Sequence, residues 1–119
     1  MPKVNLREKL ALFSEYWQPK IVGELNGQLV KLVKFNGPFV WHHHDNEDEL
    51  FFVITGRFRM EFRDHFAWME QGDFLIVPRG VDHRPVAEEE AHVMLFEPTS
   101  TLNTGNVRNE RTVDVLERV

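Results

Sequence analysis

No cysteine occurs among the 119 residues of the chain. That excludes a disulfide framework and thiol chemistry, and it removes any need for an oxidising compartment. No apolar run approaches the roughly 20 residues that a membrane helix requires, and Met1-Pro2-Lys3-Val4-Asn5-Leu6-Arg7-Glu8 lacks the apolar stretch of a secretory leader. The expectation is a cytoplasmic protein with no membrane partner. Basic charge is also scarce: 14 Lys and Arg face 19 Asp and Glu, a formal net charge of -5. With no cationic stripe to displace counterions from phosphates, no nucleic-acid partner is expected. Helix-turn-helix patterns, internal repeats and low-complexity segments are likewise missing.

Aromatic mass is plentiful, with ten Phe and three Trp. At this length it suits one domain, spanning 1–119, with a real core. The spacing of Leu6, Leu10, Phe13 and Trp17 predicts an N-terminal helix over about 5–18, opened by Asn5 with Glu8 three residues on and stopped by Pro19. Strand signals follow at Ile21–Leu25 and Gln28–Phe35, joined by the hairpin pair Asn26-Gly27. Leu50–Ile54 and the alternating Arg57–Arg63 come next. Shorter strands are expected at Phe66–Met69, Phe74–Val77, Val81–Val86 and His92–Glu97, the last two separated by a turn at Ala87–Ala91. Such density of short strands with Gly and Pro turns predicts an all-β sandwich or barrel over about 20–98, of which the jelly roll is one form. Residues 99–119 read as an irregular tail that either returns to the barrel or hangs loose.

Three of the six histidines are consecutive. In an extended segment alternate side chains share a face, so His42 and His44 lie together and His43 points away. Five residues beyond His44, Glu49 opens the next strand and can bring a carboxylate against both imidazoles. His83 must arrive from a distant strand, placed by the rigid turn Pro78-Arg79-Gly80. Three neutral imidazoles and one carboxylate suit one divalent transition ion, whether Fe, Mn, Ni, Zn or Cu. Positions stay open for water or substrate if the ion takes six ligands. A histidine taken alone is more often a surface or core residue than a ligand, so the spacing has to carry the reading.

That spacing resembles the cupin superfamily, in particular its small single-domain conserved-barrel members. His42-x-His44, four residues, Glu49, six residues and Gly56 match the first cupin motif, and Gly72, five residues, Pro78-Arg79-Gly80, two residues and His83 match the second. Gly37 lies one residue closer to His42 than the pattern asks, and Ala87 stands where the terminal Asn is expected. The resemblance implies a double-stranded β-helix, or jelly-roll barrel, with a short N-terminal helix, and a metal held by His42, His44, Glu49 and His83. It also implies pairing of two copies through a sheet face. For function it implies a mononuclear metal-dependent enzyme of oxygenase or isomerase type, a non-catalytic binder of a carbohydrate-like or carboxylate ligand, or a metal that only pins strands together.

Parity extends the reading. With Glu49 inside, Phe51 and Val53 face inward while Leu50, Phe52 and Ile54 face outward and need a cover, either the N-terminal helix or a partner subunit. Phe58, Met60 and Phe62 are expected to line the pocket beside the metal, with His92 as a donor behind it. A pocket so lined suits a small, partly apolar organic molecule. His65 is expected in an exposed turn. The acidic run Asp45–Asp48 lacks the spacing of a calcium loop and reads as a solvated hairpin tip.

Overall fold

The computed structural model describes residues 1–119. Its elements are α1 (Leu6–Leu10), β1 (Lys20–Leu25), β2 (Gln28–Pro38), β3 (Glu49–Thr55), β4 (Phe58–Phe62), β5 (Phe66–Met69), β6 (Phe74–Val77) and β7 (His83–Pro98). Asn26 and Gly27 both adopt positive φ, 50° and 76°, the requirement of a two-residue type I′ hairpin. They set β1 antiparallel to β2. Gly56, at φ 81°, turns β3 into β4; a Cβ there would stand 2.9 Å from the Glu90 carbonyl oxygen and 3.0 Å from Ala91 Cα. Only glycine lets the chain pass β7 so closely.

The strands pair antiparallel in the order β1-β2-β7-β3-β6, and β4 joins through β7 and carries β5. Strand β7 is the hub of the jelly-roll barrel. Its first residues pair with β4, and its later half lies between β2 and β3. The sequence predicts two strands here with a turn at Ala87–Ala91, but β7 runs unbroken for 16 residues. The strand bends instead of breaking. Glu88, Glu89 and Glu90 are left in water where the register with β2 shifts, and the fully buried Ala87 and Ala91 keep the corner thin.

The N-terminal helix is also corrected, since α1 spans five residues rather than 5–18. Asn5 Oδ1 does accept from the Glu8 backbone N–H at 3.0 Å, as an N-cap should. So short a helix is marginal by itself and survives by packing Leu10 with Phe13, Leu32, Leu6 and Ile54. Beyond it the chain extends along β2. Trp17 N–H donates to the Lys34 carbonyl at 2.9 Å, and Trp17 itself takes a positive φ of 62°. Trp17 therefore leaves the Leu10–Phe13 face and enters the main core, stacked on Phe35 and Phe39 at 4.3 and 4.8 Å between ring centroids.

Segment 99–119 has no named strand, yet it returns to the barrel. Glu117 meets the buried Lys20 at 3.0 Å, Arg118 bridges to Ile21, and Asn106 brackets His43, donating to its carbonyl and accepting from its N–H at 3.0 and 2.8 Å. Gly105 is required at that crossing, because a Cβ would lie 2.2 Å from the His43 carbonyl oxygen. No helix is long and apolar enough to cross a membrane.

Candidate metal centre

The segment bearing His42 to His44 is extended but forms no regular strand; it is anchored by a single bridge between His42 and His83. The backbone bonds of that bridge run 3.1 Å from His42 N–H to the His83 carbonyl and 2.9 Å in return. One narrow pair of bonds thus brings the two motifs face to face. The Gly80 N–H, which donates to the His44 carbonyl at 2.7 Å, fixes the other end of the segment on the Pro78–Gly80 turn. Alternation survives without the strand. His42 and His44 are buried inside, and His43 lies outside with Nδ1 2.9 Å from Asp82 and Nε2 3.0 Å from Asp45.

Inside, one nitrogen or oxygen from each of His42, His44, Glu49 and His83 falls within 4.8 Å of all the others, and all four residues are buried. His44 Nε2 and His83 Nε2 lie 3.1 and 3.6 Å from Glu49 Oε1, close to the roughly 3 Å that separates neighbouring ligands bonded at about 2.1 Å to one ion. His42 and His83 each turn Nδ1 to the carbonyl two residues back, Val40 and Val81, at 2.9 Å. This fixes the tautomer and leaves Nε2 facing inward. Meanwhile His44 Nε2, His83 Nε2 and Glu49 Oε1 have no hydrogen-bond partner although they are buried. Buried polar atoms rarely go unpaired, and here they converge on a common point, so the residues fit a divalent cation and could hold one.

The electrostatics agree. Burial, followed by the nearby His83, lowers the His42 pKa from its ordinary 6.5 to about 4, which keeps the ring neutral as a ligand must be. Burial works against the charge of Glu49, but Glu97, His44 and His83 beside it outweigh burial and hold its carboxyl well below the usual range. For Glu97 the balance is opposite, since burial and the Glu49 carboxylate push it well up.

A cavity with about 30 Å³ of free volume opens beside His42 and Glu49, room for roughly one or two waters or the tip of a small molecule. Among the expected pocket residues only Phe51 lines it. Val53, Phe58 and Met60 are fully buried in the core behind, and Phe62 is half-buried and stacks on His65 at 4.8 Å. His92 is corrected outright, because it faces out of the barrel and meets Glu90 at 2.6 Å. Strand β7 turns Ala91, Val93 and Leu95 inward, so His92, Met94 and Phe96 share the outer face. The walls come instead from Trp17, Val33, Phe35, Phe39, Leu95 and Asn103. Trp17 escaped because its spacing matched a helix face, and Asn103 because the tail carries no periodic signal. The inward parity of Val33 and Phe35 on β2 was readable.

Relatives place this geometry. A Bacillus subtilis (strain 168) protein, the uncharacterised YdbB, is 38% identical over 81 residues, covering 67% of this chain and 66% of that protein. A solved cupin-2 domain protein from Shewanella frigidimarina NCIMB 400 superposes with a TM-score of 0.79 at 40% identity, over 80% of this chain and 93% of that one. Protein NMB1881 of Neisseria meningitidis gives 0.76 at 33% identity, over 82% and 100%. The profile of the cupin domain matches residues 32–98, from the middle of β2 to the last residue of β7 and so across all four inward-facing donors: the chain belongs to the cupin family.

Proposed function

We propose that this cupin is a mononuclear metal-dependent enzyme of oxygenase type acting on a small organic molecule, with His42, His44, Glu49 and His83 as ligands of one divalent transition ion. The observation that carries the reading is the convergence of unpartnered buried donors beside a cavity. A metal held there would polarise a substrate oxygen or pass electrons to dioxygen. The protein's own contribution is a neutral His42, main-chain carbonyls that fix the tautomers of His42 and His83, and a wall of aromatic rings. The only titratable side chains lining the cavity are His42 and Glu49, both assigned as ligands. That favours oxygen chemistry over an isomerase, which needs a separate group to carry a proton. The same observation supports the second reading, a metal-assisted binder without turnover. The guanidinium of Arg111, 5.9 and 5.8 Å from the centroids of Trp17 and Phe39, adds positive charge over two walls and supports a ligand bearing a carboxylate or phenolate.

Oxygen uptake with phenolic, diketone and keto-acid compounds, after loading with Fe(II), Mn(II), Ni(II), Zn(II) or Cu(II), tests the proposal. Uptake with one metal that His42→Ala abolishes supports the oxygenase; ligand retention without turnover in every metal form supports the binder. We place the protein in the cytoplasm as a homodimer paired through the outer face of β3. There Leu50 and Phe52 are half-buried beside Phe74 and Ile76, which are 61% and 54% exposed. Size-exclusion chromatography should give a dimer that Phe52→Glu converts to monomer.

A further inference from the structure

The barrel interior holds a second buried ionisable pair beside the four candidate ligands. Lys31 of β2 and Glu97 of β7 meet at 2.7 Å, each with a side chain 1% exposed. An ion pair taken out of water gains little over apolar side chains of the same volume, because desolvation consumes most of the attraction. Its presence therefore calls for a reason other than stability.

Position supplies the reason. Leu50 pairs with Phe96 across β3 and β7, so the next residues of each strand, Glu49 and Glu97, are inward-facing neighbours. Their carboxyl groups therefore sit side by side inside the barrel, both buried. Glu97 Oε1 is occupied by Lys31, while Oε2 is buried and has no hydrogen-bond partner. Glu49 in turn presents Oε1 to His44 and His83. The order across three adjacent strands is Lys31, Glu97, Glu49, then the imidazoles.

We propose that Lys31 and Glu97 are positioning residues: Lys31 anchors the Glu97 carboxyl, and Glu97 holds the Glu49 carboxylate in the orientation that presents Oε1 to the metal. This rests on the assignment of Glu49 as a ligand. Partners of this kind behind a ligand commonly change metal affinity 10–100-fold when removed. Arrangement by a neighbouring side chain is needed here because no backbone N–H donates to the Glu49 carboxylate, whereas His42 and His83 are oriented by main-chain carbonyls.

Two double variants test it. Lys31→Met/Glu97→Gln removes both ionisable groups but keeps an amide that can donate to Glu49, and Lys31→Met/Glu97→Leu removes the donor as well. The readouts are Zn(II) affinity by chelator competition, the visible absorption of the Co(II) form, and thermal unfolding of the metal-free proteins. The Gln variant should keep Zn(II) affinity within about threefold, and the Leu variant should lose about 10–100-fold with an altered Co(II) spectrum, while both unfold close to the unmodified protein. Equal affinity and equal spectra for the two variants would overturn the proposal, as would a Leu variant that loses only thermal stability. If the Leu variant fails to fold, Lys31→Met/Glu97→Met replaces it under the same criteria. Glu49→Gln separates this outcome from a wrong ligand assignment, since Zn(II) affinity unchanged in that variant would refute the site itself.

Discussion

The two faces of β3 are built from similar residues and put to different uses. Inward, Glu49, Phe51 and Val53 are 4%, 3% and 0% exposed; outward, Leu50, Phe52 and Ile54 are all half-buried. The enclosed face is chemically mixed, a carboxylate followed by hydrocarbon, whereas the open face is wholly apolar. Hydrophobicity alone would rank the outer face as the better core. What decides is closure, because the barrel surrounds the inner row while only the Ile54 end of the outer row receives a cover, from Leu6 and Leu10 of α1. Apolar residues without a cover are informative, and polar residues with one are equally so.

Adjacent positions give the strongest way to break this comparison. Phe51→Ala should cost about 3–5 kcal/mol in the metal-free protein, the usual cost of emptying a buried phenylalanine site. Phe52→Ala, on the half-buried face, should cost about a third of that in the monomer, in proportion to the area removed from water. Denaturant unfolding of both variants measures the difference, and equal losses would show that the outer face is core.

Metal binding sharpens the inner face next. Zn(II) at about 1,000 times its dissociation constant should stabilise the folded chain by about 4 kcal/mol. His83→Ala should lose most of that gain, and the metal-free variant should stay folded because the surrounding core is aromatic and aliphatic. Thermal unfolding with and without chelator reads both effects.

A pH series in chelator comes third. The His42 pKa is lowered in the folded state from 6.5 to about 4, through burial first and the neighbouring His83 second. The unfolded chain takes up this proton near pH 6.5 and the folded barrel resists until about pH 4. Stability from this group is therefore full above pH 6.5 and falls by about 3 kcal/mol on the way to pH 4. His42→Leu should flatten that part of the profile. An unchanged profile would show that the ring is not held neutral.

Where the sequence was legible, the reason is that the signal was local or period-two. The hairpin at Asn26-Gly27, the bounds of Phe66–Met69 and Phe74–Val77, the parity of Glu49, Phe51 and Val53, and the four clustered donors all follow from spacing and turn chemistry. Trp17 keeps a helical spacing from Leu6, Leu10 and Phe13 although the helix ends at Leu10, and the backbone bond to Lys34 decides its place. His92 shares its parity with Met94 and Phe96, whose apolar side chains read as inward, but β7 keeps the parity of the buried His83 through Ala87 and Ala91 to Val93 and Leu95, which leaves His92 outside. Lys31 and Glu97 are 66 residues apart; only the pairing of β2 and β3 on either side of β7 brings that pair to Glu49.

The smallest effect sharpens the distinction between the covered and uncovered ends of the outer face. Asn5 caps α1 through the Glu8 N–H, and Asn→Ala at such a cap typically costs about 1 kcal/mol. If α1 covers only the Ile54 end, Asn5→Ala should lower stability by that amount, leave Zn(II) affinity unchanged and leave the dimer intact. Hydrogen exchange should then rise at the amides of Leu10 and Ala11 and stay unchanged at Leu50 and Phe52. Loss of the dimer in this variant would instead show that α1 belongs to the subunit contact, and the outer face of β3 would then be one surface from Leu50 to Ile54.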